Sequence, residues 1–223
     1  MNKRKAALAA FTLLLLVGTF VHASTIVYNN GGPNQQNGNE ATEWIQTEDF
    51  MLSSSTTVTG VEFWDIETAP GYSGSITWWI TGDSGGNPDF SNILGTGTLA
   101  LATHTLTANG CSVLGTYCEY DNTFGLSVAL AGGVEYHLAL HNGPVTDTTR
   151  SEFYWETTNP NGTQTGLECD LTTGACYNSW SNNGQEHAFI LYGGTSVPEP
   201  GTLALLGTSV VGLAGVLRRK LGR

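Results

Sequence analysis

Apolar and polar residues alternate most regularly in the middle of the chain. Apolar residues fill every second position over 124–130 and again over 134–140, and Ala131-Gly132-Gly133 separates the two runs. A period of two places successive side chains on opposite faces of a β-strand. The pattern therefore predicts a β-hairpin that turns at these glycines, with one face in the core and the other in solvent.

Further strand patterns follow one another at short intervals. They cover 57–67, 75–81, 152–157 and 187–192, and a second hairpin is expected around Thr172-Thr173-Gly174. The stretch 29–39 is rich in Asn, Gln and Gly and is expected to be a loop. No repeat of about 40–45 residues is visible, which argues against a propeller. The predicted fold is all-β, a single β-sandwich or jelly roll.

The N-terminal 23 residues have the features of a secretory signal peptide. Lys3-Arg4-Lys5 precede an apolar run over 6–21, and Val21-His22-Ala23 places small residues where signal peptidase cleaves. Cleavage there makes Ser24 the first mature residue. A retained membrane anchor is the alternative.

The C-terminal residues combine a proline motif, an apolar run and a basic end. Val197-Pro198-Glu199-Pro200-Gly201 is followed by an apolar segment over 202–217 and then by Arg218-Arg219-Lys220-Leu221-Gly222-Arg223. Proline excludes a regular helix at the motif, whereas the apolar run is about 24 Å long as a helix. The sequence predicts a transmembrane helix over 202–217 whose basic end faces the cytoplasm. An anchor that is never cleaved is the alternative.

This tail resembles the PEP-CTERM sorting signal of Gram-negative bacteria, which an exosortase recognises. The resemblance implies an exported protein with an inner-membrane-anchored precursor and a final place at the cell surface or in the extracellular matrix. Residues 24–196 are then the ectodomain. The segments 76–80, 83–88, 94–97 and 130–138 resemble jelly-roll ectodomains attached to such signals, which supports the fold and adds nothing about activity.

The predicted ectodomain is strongly acidic. Of eight basic residues only Arg150 lies within 24–196, and of nineteen acidic residues only Glu199 lies outside it, so its formal charge is −17. Nucleic acid is excluded as a partner because phosphate binding needs clustered Lys and Arg. The acidic residues are scattered, which favours a solvated surface over a calcium loop. No metal or cofactor is predicted.

The sequence contains two candidate catalytic patterns. Gly82-Asp83-Ser84-Gly85-Gly86 resembles the surroundings of a serine nucleophile, but the only earlier histidine is His22 and no helix pattern follows. A turn between two strands explains this segment better. Asp65 and Glu67 share one strand face about 7 Å apart, a spacing that would suit a glycan hydrolase and that also occurs by chance.

The histidines suggest a metal site only weakly. His137 and His141 are four residues apart, which on a strand separates them by about 13 Å, too far to share one ion. Glu135, His137 and His141 are expected on the solvent face as surface residues. A metal site completed by His104 or His187 is the less favoured alternative.

Four cysteines occupy the ectodomain in two close pairs, Cys111 with Cys118 and Cys169 with Cys176. Export to an oxidising compartment favours disulfides. Three pairings are possible, and the two local ones are preferred because each interval contains glycine and turn residues. The spacing suits neither a zinc site nor a Cys-x-x-Cys redox motif.

All six tryptophans lie in the ectodomain. Trp78 and Trp79 are adjacent and must point to opposite faces of a strand, so at most one faces the core and the other is exposed or lies under a second layer. Core packing is the favoured role for most tryptophans, and stacking on sugar rings is the alternative. The candidate glycan contacts are Trp79, Trp155 and Trp180.

The sequence thus favours a non-enzymatic exported protein of the cell surface or matrix, associated with exopolysaccharide. Its processing partners are signal peptidase and exosortase, and its precursor is held in the membrane. A carbohydrate-binding module that uses exposed Trp and Tyr is the first alternative. A glycan hydrolase that uses Asp65 and Glu67 is the second.

Overall fold

The computed structural model describes residues 25–68, 71–163, 165–174 and 176–194. The predicted signal peptide, the proline motif and the predicted transmembrane helix all lie outside these residues. Within the described ranges, no helix is long and apolar enough to cross a membrane.

The described residues form two antiparallel sheets packed as a sandwich, which confirms the predicted all-β fold. Their fourteen strands are β1 (Thr25–Gly31), β2 (Gly38–Glu40), β3 (Trp44–Met51), β4 (Thr56–Glu67), β5 (Ile76–Asp83), β6 (Pro88–Leu99), β7 (Thr103–Leu106), β8 (Cys118–Leu130), β9 (Glu135–Asn142), β10 (Phe153–Thr158), β11 (Leu167–Asp170), β12 (Ser181–Asn182), β13 (Glu186–His187) and β14 (Phe189–Gly193). A short 3₁₀ turn covers Leu171–Thr173.

The first sheet is built around β4. On one side β4 pairs with β8 along its whole length, and β7 pairs with the far edge of β8. On its other side, β14 pairs with the first part of β4 and β10 pairs with its end. β1 extends this sheet beyond β14, and β2 and β13 pair with β10. The second sheet has the order β12-β11-β3-β9-β5-β6.

The core between the sheets is aromatic. Phe63 contacts Phe124 and Trp155 edge to face, with ring centroids 6.2 and 6.3 Å apart. The indole of Trp155 is fully buried, and its Nε1 donates a hydrogen bond to the carbonyl of Ala188 at 2.9 Å. Apolar faces of both sheets therefore meet as the alternating pattern predicted.

The two strands predicted over 124–140 are present as β8 and β9, but the prediction that they pair with each other as a hairpin is wrong. β8 belongs to the first sheet and β9 to the second, so the turn crosses from one sheet to the other. Gly133 supplies the positive φ of 71° at this turn, and its N–H donates to the Leu52 carbonyl. Alternation fits a hairpin and a crossover equally, because both place every second side chain in the core.

The strand predicted over 134–140 is also buried on both faces, which corrects the placement of its histidines. His137 and His141 are 1% and 0% exposed and are not surface residues. Val145, Leu171 and Trp180 pack over part of the outer face of the second sheet, so the face predicted to be wet is partly covered by protein.

The remaining strand predictions are largely confirmed. β4, β5, β10 and β14 fall where the patterns placed them. The expected loop over 29–39 is wrong at both ends, since β1 extends to Gly31 and β2 begins at Gly38. The chain does return around 172–174, where β11 pairs with β12 across a connection that begins with the 3₁₀ turn.

Both disulfides are the local ones predicted. Cys111 bonds Cys118, and Cys169 bonds Cys176. No free cysteine occurs among the described residues.

Candidate functional site

An aromatic cleft lies on the outer face of the second sheet. The start of β6 and the connection from β11 to β12 meet there over a small buried cluster. The cluster consists of Ile45, Trp79, Ala139, Cys169 and Cys176. Phe90, Leu171, Val145 and Trp180 pack against it while remaining partly exposed.

Three aromatic side chains form the platform of this cleft. The rings of Phe90 and Trp180 stack with centroids 5.4 Å apart and an angle of 21° between their planes. Tyr177 contacts Phe90 at 4.8 Å and is 37% exposed. The cleft has a volume of about 710 Å³. Its lining consists of Ser84, Asn87, Pro88, Asp89, Phe90, Ser91, Tyr177, Asn178, Ser179 and Trp180.

The glycine-rich turn after β5 shapes one wall, as predicted for residues 82–86. Gly85 and Gly86 have positive φ angles of 65° and 81°, which glycine adopts without steric cost. The carboxylate of Asp83 accepts a hydrogen bond from the Gly86 N–H at 2.9 Å. Ser84 lies in this turn and donates its N–H to the Asn87 carbonyl, consistent with a structural role.

Asp89 places a fixed negative charge at the rim. Its Oδ1 accepts hydrogen bonds from the side chain and the backbone N–H of Ser91. These bonds lower the pKa of Asp89, because they favour the ionised carboxylate. An ionised carboxylate next to aromatic rings can accept hydrogen bonds from ligand hydroxyl groups.

The second wall is held by a disulfide and by an unusual backbone conformation. The Asp170 side chain caps the 3₁₀ turn by accepting the Thr172 N–H at 2.7 Å, and the Cys169–Cys176 bond closes the loop. Tyr177 then has a φ of 75°, which costs a non-glycine residue about 1–3 kcal/mol. Its N–H donates to the Cys169 sulfur at 3.2 Å. This geometry holds the Tyr177 ring against Phe90.

The candidate glycan contacts fall in three different environments. Trp180 lines the cleft. Trp79 is 7% exposed and lies beneath Phe90 at 5.7 Å, so it is the tryptophan covered by a second layer. Trp155 is fully buried between the sheets, so its assignment as an exposed contact is wrong.

Phe90 and Tyr177 were missed by sequence reasoning. Phe90 follows a turn and Tyr177 follows a cysteine, and no periodic pattern links the two segments along the chain. The sequence signals near these two residues were the Cys169–Cys176 pair and the glycine turn before Phe90, which indicate ordered loops but not a shared site.

Asp65 and Glu67 belong to a buried polar cluster and are not open to solvent, as a catalytic pair of carboxyl groups would need to be. They are 0% and 7% exposed, and Asn122 donates to Asp65 while the Tyr72 N–H donates to Glu67. His104 contacts Glu67 at 3.2 Å. Burial, reinforced by the charge of Glu67, raises the pKa of Asp65 well above its usual range.

The described histidines do not assemble into one site. His141 lies between the carbonyls of Gly143 and Thr42, at 3.0 and 2.7 Å. His187 contacts Glu48 at 2.9 Å, and burial lowers its pKa to about 3. His104 binds Glu67 in the other sheet, so neither His104 nor His187 completes a site with His137.

The tail outside the described residues can be assigned by comparison. Residues 196–220 match the PEP-CTERM protein-sorting motif. The predicted sorting signal is thereby confirmed, and the chain is an exported protein targeted to exosortase, with a membrane-anchored precursor. A comparison with curated proteins found no match for the chain. The motif match covers the tail alone, so the function of the cleft rests on its geometry.

Proposed function

We propose that the ectodomain is a non-enzymatic carbohydrate-binding protein of the cell surface or extracellular polysaccharide matrix. The aromatic cleft is its sugar-binding site, with Phe90, Tyr177 and Trp180 as the contact residues. The observation that carries this proposal is the partly exposed Phe90–Trp180 stack beside the ionised Asp89.

The chemistry of the cleft suits a sugar ring. Pyranose rings present an apolar face of C–H groups, which packs on aromatic rings, and a rim of hydroxyls that need hydrogen-bond partners. Asp89, Asn87 and Asn178 supply acceptors and donors at the edge of the platform. A volume of about 710 Å³ falls in the usual range for ligand sites of about 300–1,000 Å³.

The charge of the ectodomain limits the class of polysaccharide that it can bind. With a formal charge of −17 over 24–196, the protein repels anionic polymers, most strongly at low ionic strength. The proposed ligand is therefore a neutral or basic polysaccharide.

The placement of carboxyl groups supports the proposed non-enzymatic role. A glycosidase flanks the scissile bond with two carboxyl groups, commonly about 5–10 Å apart. The described lining of the cleft offers a single carboxylate, Asp89. Asp65 and Glu67, the predicted pair, are instead buried and bonded to Asn122, His104 and the Tyr72 backbone.

Delivery to the matrix depends on the tail. The apolar run over 202–217 anchors the precursor in the inner membrane, and exosortase cleavage near Pro200 releases the ectodomain to the surface. Intact mass of surface-fraction protein, from hosts with and without an exosortase, tests this step. A species that retains Arg223 in both hosts would contradict it.

Affinity electrophoresis of the exported protein in gels that contain neutral polysaccharides tests sugar binding. Trp180→Ala and Phe90→Ala should each weaken binding about tenfold, which corresponds to about 1.4 kcal/mol. Tyr117→Ala is the matched control, because Tyr117 is also a partly exposed aromatic residue and contacts another ring, that of Tyr154, edge to face outside the cleft.

Two results would overturn the proposal. If Tyr117→Ala lost as much sugar binding as Trp180→Ala and Phe90→Ala, the cleft would not be the sugar-binding site. Release of reducing ends from any polysaccharide, abolished in an Asp65→Asn, Glu67→Gln double variant, would make the protein a hydrolase.

A further inference from the structure

Three side chains that can ligate metals converge where β5 and β9 pair at the outer face of the second sheet. Asp83, Glu135 and His137 each offer a ligand atom, and these atoms lie within 4.8 Å of one another. The Nε2 of His137 is 3.0 Å from Oδ1 of Asp83. We propose that these residues bind a divalent transition-metal cation of the Zn²⁺ class.

The strand register explains why they meet. Thr81 pairs with His137 and Gly82 with Tyr136, so Asp83 comes next to Glu135. Glu135 and His137 are two residues apart and therefore project from the same face of β9. The site is formed by two neighbouring strands of a sheet, which hold their side chains in fixed positions.

A second observation comes from the row of residues beside the cluster. Asp49, His137 and Thr81 are direct cross-strand neighbours on adjacent strands. They are 7%, 1% and 0% exposed. Among the described residues, none offers a hydrogen-bond partner to Asp49 Oδ1, His137 Nδ1 or Thr81 Oγ1.

Three unpartnered buried atoms in one row are unusual, because each costs about 1–3 kcal/mol when it is left unsatisfied. Water bound to a metal ion donates hydrogen bonds to nearby oxygen atoms. A hydrated ion at this cluster would therefore supply partners to Asp49 Oδ1 and Thr81 Oγ1.

The charge balance points to a cation as well. Asp83 and Glu135 are two carboxylates in one cluster, and 24–196 contains no lysine and only one arginine. That arginine, Arg150, lies near Tyr154, Glu40 and Glu43. A bound dication would supply the positive charge that no lysine or arginine of the ectodomain brings to Asp83 and Glu135.

The donor set selects the class of metal. One imidazole and two carboxylates suit Zn²⁺ or Mn²⁺, whereas Ca²⁺ and Mg²⁺ favour oxygen ligands alone. The Asp83 side chain is 21% exposed and Glu135 is partly exposed, so an ion can enter from solvent and keep water ligands.

Calorimetric titration of the full-length chain in detergent with ZnCl₂ tests this proposal, provided that the protein carries no oligohistidine tag. One Zn²⁺ should bind per chain, and Asp83→Asn and Glu135→Gln should each weaken binding at least about tenfold. Both positions reach solvent, so these variants are expected to fold, which their circular dichroism melts verify.

The matched control is Asp89→Asn, which removes a carboxylate from the same β5–β6 region and should bind Zn²⁺ as the unaltered chain does. Trp180→Ala should do so too, since this inference does not depend on the ligand of the cleft. The melting temperature should rise with Zn²⁺ and fall back with EDTA.

Three outcomes would overturn the proposal. Unchanged Zn²⁺ binding in both carboxylate variants would place the ion elsewhere. A preference for Ca²⁺ over Zn²⁺ would contradict the metal class. No binding, with a melt that neither Zn²⁺ nor EDTA alters, would leave water as the partner of these buried atoms.

Discussion

The two disulfide loops have the same spacing in sequence and very different surroundings. Cys111 is exposed and Cys118 half-buried, and Leu114 within that loop is 47% exposed. Cys169 and Cys176 are 1% and 6% exposed and belong to the buried cluster beneath the aromatic cleft.

This difference separates two roles of a disulfide. Both bonds close loops of the same length, so each restricts the unfolded chain by about 2.5 kcal/mol in the entropic account. The second bond also fills space against Trp79 and Ile45 and fixes Tyr177 next to Phe90. The first loop is thus a local closure, whereas the second is a structural part of the candidate site.

The largest effect is expected from Trp79→Ala, which removes the floor on which the second loop rests. Truncation of a buried tryptophan costs about 3–5 kcal/mol of unfolding free energy through lost packing and a residual cavity. Urea unfolding should show this loss, together with weaker sugar binding. Trp180→Ala, at the surface of the same site, should cost less than about 1 kcal/mol and still weaken sugar binding. Equal stability of the two variants would contradict the arrangement in which Trp79 lies buried beneath the cleft and Trp180 lies at its surface.

Paired serine substitutions test the loops themselves. Cys111→Ser with Cys118→Ser should cost about 2.5 kcal/mol and leave sugar binding unchanged. Cys169→Ser with Cys176→Ser should cost about 1 kcal/mol more, because buried packing is also lost, and should abolish sugar binding. Urea unfolding and affinity electrophoresis measure the two effects. If both double variants bind sugar equally, the second loop does not organise the cleft.

Sequence patterns predicted the fold much better than the site. Alternation located β4, β5, β8 and β9, since burial of one face constrains every second residue. It could not decide whether β8 pairs with β9, because both possible pairings bury the same side chains.

The site depends on contacts between distant parts of the chain. Phe90 and Trp180 are separated by ninety residues and meet only because the connection after β11 lies over the second sheet. The same limit applies to His137, which is 1% exposed although alternation along its strand places it on the face predicted to be wet. The local Cys169–Cys176 bond was predictable because its constraint is local.

Stability should fall between pH 6.5 and pH 8, by about 1–2 kcal/mol. Burial, reinforced by the charge of Glu119, raises the pKa of Glu156 to about 8, so the folded protein holds a proton that the unfolded chain releases above about pH 4.5. The stabilisation is complete below that pH and is lost as the pH rises through 8. The low pKa of His187 acts oppositely but only below about pH 6.5.

Thermal melts at several pH values measure this effect, and Glu156→Gln should reduce the slope. Because Glu156 lies outside both disulfide loops, the two paired serine variants should show the same pH dependence. A steeper slope in either variant would link that loop to the buried carboxyl groups.

The smallest effect is expected from Tyr177→Asn. Asparagine tolerates a φ of 75° better than tyrosine does, so unfolding free energy should change by less than about 1 kcal/mol. Sugar binding should weaken because the ring that contacts Phe90 is lost. Tyr177→Phe keeps the ring and should bind nearly as the unaltered chain does.

The most direct test of the sugar-binding cleft is the indole NMR signal of Trp180 during titration with oligosaccharides of the neutral polysaccharide that binds. The Trp180 signal should shift with saturation, whereas the signal of Trp155, whose Nε1 is bonded to the Ala188 carbonyl in the core, should not. Saturable sugar binding that leaves the Trp180 signal unmoved would contradict the assignment of the cleft.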